Sequence, residues 1–96
     1  MTAHQFMSAH MPDVREIINQ MQKPFDTHAF IKVFARSFQV EYVRLLSKYP
    51  QEPFEKVHTQ IGKFLISKKN LLGIQPQGKV FSENIFGEIN DNEQWG

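Results

Sequence analysis

Few residues in this chain have the types and spacing that chemistry requires, and each candidate has a plainer reading beside it. The four histidines, His4, His10, His28 and His58, include no H-x-x-x-H pair, and no cysteine stands near to complete a ligand set. His58 falls one position from the apolar side of a helical pattern, which predicts a hydrogen-bonded, partly buried structural histidine. His28 falls in a helix first turn and is expected to be solvated. Ser37, Ser47, Ser67 and Ser82 lack the G-x-S-x-G elbow of an activated nucleophile. The acid pairs Asp13/Glu16 and Glu52/Glu55 sit at helix starts, where the helix dipole accounts for them.

One stretch imitates a nucleotide site. Gly73-Ile74-Gln75-Pro76-Gln77-Gly78-Lys79 fits the G-x-x-x-x-G-K core of a P-loop. That mechanism needs a strand before the loop, a helix after it and a Ser or Thr beside the lysine. Here a helical pattern precedes the stretch, Val80 follows the lysine, and Pro76 removes a backbone donor. The stretch is expected to turn a hairpin. No enzyme, metal site or cofactor is expected.

Ninety-six residues with 41% apolar and 22% charged side chains suit one globular domain. The nine phenylalanines predict a core of a few large groups. Absence of cysteine excludes disulfides, and no apolar run is long enough for a membrane span, so a cytoplasmic location is the default expectation. Residues 1–79 carry all eleven Lys and Arg against six acids, a balance of +5; residues 80–96 carry Glu83, Glu88, Asp91 and Glu93 with no base.

The elements that would position any site follow from apolar spacing. Residues 1–11, rich in Met and His, show no period and read as a leader. Val14, Ile17, Ile18 and Met21 form one helical stripe ended by Lys23-Pro24. Asp26 is a good N-cap for a second helix, with Phe25 and Phe30 placed as a hydrophobic staple. Its stripe, Ile31, Phe34, Phe38, Tyr42, Leu45, Tyr49, predicts about 22 residues of helix with a possible break near Phe38 to Val40. Pro53 opens a third helix that buries Phe54, Val57, Ile61, Phe64 and Leu65, and Gly62 within it suggests close packing on another helix. Lys68, Lys69 and Asn70 read as its C-terminus. The hairpin then turns at Pro76-Gln77-Gly78. The run Gly78 to Gly87 gives a strand, a polar kink at Glu83-Asn84 and a glycine turn. The expected domain thus spans 12–87, with 88–96 as an acidic tail.

A mainly α chain of three helices closed by a C-terminal β-hairpin resembles a winged helix, although no diagnostic motif accompanies the silhouette. In that architecture the helix before the hairpin reads duplex DNA and the hairpin is the wing. The resemblance implies a DNA-binding surface of Lys56, Thr59, Gln60, Lys63, Lys68, Lys69 and Lys79, side chains able to meet bases or phosphates. The alternative is a helical protein-interaction module or homodimer, with Trp95 as an anchor for a protein partner or a second copy; the plainer reading of Trp95 is that it folds back and clips the tail to the domain. A third arrangement lays the acidic tail across the basic face as an inhibitor.

Overall fold

The computed structural model describes residues 1–96 and is mainly helical, with a three-stranded antiparallel sheet completed at the C-terminus. Helix α1 (Ala3–Ala9) and helix α2 (Met11–Gln20) lead into strand β1 (Phe25–Asp26). Helices α3 (Thr27–Ser37), α4 (Gln39–Leu46), α5 (Pro53–Ser67) and α6 (Lys69–Leu72) follow, then strands β2 (Pro76–Glu83) and β3 (Ile89–Trp95). The sheet order is β1-β3-β2, so the last strand lies in the middle.

Both ends of the chain depart from expectation. The residues read as a leader form α1, capped by a reciprocal pair: Gln5 N–H donates to Thr2 Oγ1 at 3.1 Å, and Thr2 N–H donates to Gln5 Oε1 at 2.9 Å. Thr2-x-x-Gln5 is a capping-box spelling. Ala3, Phe6 and Met7 carry the helix into the core. The residues read as an acidic tail form β3, pairing with β1 through Phe25↔Trp95 and with β2 through Val80↔Asn92 and Ser82↔Asn90. They are the sheet's central strand and are not free to act as a displaceable inhibitor.

The hairpin turn also moves. Pro76-Gln77-Gly78 lies inside β2, beside an irregularity between Pro76 and Lys79, with Gly78 at φ 102°. The chain reverses instead at 84–88. There Asn84 Oδ1 accepts from Phe86 N–H at 2.9 Å and Glu88 N–H at 3.0 Å, while Gly87 takes φ 78°. An Asn that mimics a turn carbonyl, followed by a left-handed glycine, outweighs the Pro-x-Gly signal.

The long middle helix does break at Phe38, whose backbone (φ −122°, ψ 55°) is non-helical. Asp26 caps α3 as expected, accepting from Ala29 N–H at 2.8 Å. Helix α5 begins at Pro53 and ends at Ser67, and α6 continues the chain to Gly73 at φ 70°. A methyl group added at Gly62 would meet Thr27 Cγ2 at 3.9 Å, an ordinary contact, so the α3–α5 packing does not require a glycine there.

One cluster of nineteen buried apolar residues runs from Ala3 to Trp95 and includes Phe30, Phe34, Val57, Ile61, Phe64 and Leu65. Trp95 is 1% exposed. Its indole N–H donates to Thr27 Oγ1 at 3.0 Å, and the Thr27 hydroxyl donates to Glu93 O at 3.3 Å. The start of α3 is thereby pinned to β3. Thr27→Val keeps the shape but strands a buried indole N–H, which costs about 1–3 kcal/mol. Thermal denaturation should show a fall of about 4–8 °C for each kcal/mol lost, and Trp95→Ala a larger one.

Candidate functional site

Helix α5, the N-terminal turn of α3 and the β2–β3 hairpin enclose a cleft of about 580 Å³. It exists because the hairpin leans back on α5: Phe86, within the turn, meets Phe54 edge to face with ring centroids 4.8 Å apart. At 100° per residue, burial of Val57, Ile61, Phe64 and Leu65 turns the other side of α5 outward. Glu55, Thr59, Gly62 and Ile66 of that side line the cleft. Ile66 is 56% exposed and Phe86 57%, leaving open apolar surface at its wall.

The cleft is acidic. Glu55, Glu88, Asp91 and Glu93 line it against a single lysine, Lys79. The Glu93 carboxylate also accepts from Gly78 N–H at 2.6 Å, bracing the irregular start of β2. Glu55 stands beside Glu52, whose hydrogen bond and like charge raise the Glu55 pKa. Such crowding of carboxylates favours a cation and opposes a phosphate.

Behind the cleft, two histidines have structural work. His28 is half-buried where a solvated side chain was expected. Its backbone N–H donates to Asn92 Oδ1 at 2.9 Å, and its Nδ1 lies 3.0 Å from Ser82 Oγ. This ties α3 to both hairpin strands, and only the antiparallel register, invisible while residues 88–96 read as a tail, brings those groups together. His58 matches its expected role. The Tyr42 hydroxyl lies 2.6 Å from His58 Nε2, and the two rings stack. Burial, with a smaller contribution from His28, lowers the His58 pKa to about 4, and burial pushes Tyr42 up to about 12. Both are therefore neutral at pH 7, and the hydroxyl and the ring nitrogen share one hydrogen bond.

The residues expected to read DNA are only partly gathered. Lys56, Thr59 and Lys63 are exposed on α5, but Lys56 and Lys63 lie outside the cleft, on the neighbouring flank. Lys79 stands on the hairpin among carboxylates. Lys68 and Lys69 fall at the α5–α6 junction and are half-buried. Gln60 is spent on the fold: its Oε1 accepts from Ala3 N–H at 2.8 Å and its Nε2 donates to the Tyr49 hydroxyl at 2.7 Å. Trp95 is enclosed in the core, which agrees with its folding back on the domain and removes it as a partner anchor. Phe86, Glu88 and Asp91 also line the cleft and carry no sequence pattern that would mark them for it. The motif-like run from Gly78 to Gly87 is the one sequence signal for the turn end of the hairpin.

No protein-family model, curated protein or solved structure matches this chain. No helix is long and apolar enough to cross a membrane.

The lowered pKa of His58 has a consequence for stability. Below its ordinary value of 6.5 the unfolded chain takes a proton that the folded chain refuses, so stability falls as pH drops from about 6.5 towards about 4. Allowing for partial solvent access, the loss is on the order of 1–2 kcal/mol. Urea midpoints at pH 7 and pH 5 should differ by less in His58→Gln than in the parent chain. An equal difference would place the acid sensitivity elsewhere.

Proposed function

We propose that this domain is a non-enzymatic binding module whose cleft between α5 and the hairpin takes a basic, partly apolar segment of a partner protein. The carrying observation is the wall itself: open Ile66 and Phe86 surface bordered by Glu55, Glu88 and Asp91. Apolar contact supplies affinity in such a site, and the carboxylates select for lysine or arginine and speed encounter. Glu55 lies on α5 and Glu88 at the turn end of the hairpin, so a segment laid in the cleft meets an acidic residue from either wall.

A second reading keeps duplex DNA as the ligand. The element order is what favours it: a helical N-terminal region, a short strand, further helices and a hairpin, with β1 paired beside β3, resembles a winged helix. Exposed Lys56 and Lys63 on the helix before the hairpin fit it as well. The acidic hairpin does not, because the wing would bring Glu83, Glu88 and Asp91 towards phosphates.

Fluorescence anisotropy separates the two. A short labelled peptide of alternating Lys/Arg and Leu should bind at about 50 mM salt and weaken at about 200 mM. The double reversal Glu88→Lys/Asp91→Lys should cut that affinity at least about tenfold, which is 1.4 kcal/mol, while Lys56→Glu/Lys63→Glu leaves it unchanged or raises it. Duplex binding abolished by the lysine reversals, with no peptide binding by the parent chain, would overturn the peptide reading in favour of DNA.

A further inference from the structure

The outer edge of the hairpin carries a second feature, independent of the cleft's ligand. Strand β2 is an edge strand, and nothing in the fold pairs with its outer side. Backbone alternation shows which groups face outward. Asn84 N–H donates to Glu88 O at 2.8 Å, so the 84/88 pair is hydrogen-bonded, and in the same register so are Ser82/Asn90 and Val80/Asn92. Lys79, Phe81 and Glu83 therefore direct both N–H and C=O away from β3, towards solvent. Their side chains share one face, and all three are exposed, Phe81 to 78%. Ile89, the register partner of Glu83, adds a 69% exposed apolar group beside Phe81 on that face.

Edge strands are usually blunted by bulges, prolines or charges. The irregularity in β2 lies before Lys79, so 79–83 is a regular, open edge. Its charges are arranged in a particular way. When two copies of Lys79-Val80-Phe81-Ser82-Glu83 are laid antiparallel about a two-fold axis at Phe81, each Lys79 stands opposite Glu83 of the second copy. Val80 stands opposite Ser82, and the two Phe81 rings meet. The outward-facing residues 79, 81 and 83 are the ones such a pairing would hydrogen-bond. Opposite charges directly across an antiparallel pair, with an aromatic pair between them, are favourable cross-strand contacts. We infer that β2 pairs with β2 of a second copy of this chain, joining two three-stranded sheets through an isologous edge contact centred on Phe81.

A contact of five residues per strand lies at the small end of interface sizes, so the dimer is concentration-dependent. Sedimentation equilibrium of the whole chain should follow a monomer–dimer isotherm. Glu83→Lys sets lysine against Lys79 of the second copy, Lys79→Glu sets glutamate against Glu83, and each should weaken dimerisation at least tenfold. The double exchange Lys79→Glu/Glu83→Lys restores opposite charges at both positions and should recover the parent dimer, with circular dichroism unchanged in all variants. That recovery separates pairing in this register from general charge effects, and it reads oligomeric state without reference to peptide or DNA. A chain that stays monomeric up to millimolar concentration would overturn the inference. So would single variants that dimerise as tightly as the parent, or a double exchange that fails to recover.

Discussion

The hydrogen bonds through Thr27 hold the rest of the structure in register. One hydroxyl accepts from the buried Trp95 indole and donates to the Glu93 carbonyl, so the first residue of α3 is fixed to the last turn of chain in β3. A buried indole N–H needs a partner, and desolvation makes its absence costly. Placing Trp95 in this way draws residues 89–95 between β1 and β2. Asn92, itself buried, then caps the approach by accepting from His28 N–H and donating to Ser82 Oγ. The hairpin thus stands at a fixed angle to α5, and the cleft is the space that angle leaves.

Much of the helical framework was legible because apolar stripes at spacings of three and four point to one core. The Asp26 cap, the start of α5 at Pro53 and the structural role of His58 all follow from local physics. The ends were not legible, for different reasons. Thr2-x-x-Gln5 is a helix start whose apolar face is short and mixed with histidines, so its periodicity is faint. Residues 89–95 read as Ile-Asn-Asp-Asn-Glu-Gln-Trp, a polar run with low strand propensity. They become a strand because Trp95 anchors one end and the Asn84–Gly87 turn the other, and both constraints act over long sequence distance.

The candidate site suffered from the same gap. Helical period alone puts Lys56, Thr59 and Lys63 on the outward side of α5, where all three are exposed. Gln60 lies near enough to that side to look free, yet α1 folds over to claim its amide. Acids assigned to a solvated tail became one wall of the cleft once β3 formed. Distribution of charge over the fold, rather than along the chain, decides what the cleft attracts: acidic residues of α5 and the hairpin line it, and the exposed Lys56 and Lys63 of α5 lie on another flank.

The cleft's selection of a basic, partly apolar segment is the central claim. Its most direct test is residue-resolved: amide chemical shifts of the labelled protein followed during titration with the Lys/Arg–Leu peptide. Shifts concentrated at Thr59, Ile66, Phe86, Glu88 and Asp91, saturating together, are the expected result. Saturable shifts confined to the flank around Lys56 and Lys63, or no shifts at any residue lining the cleft, would contradict it.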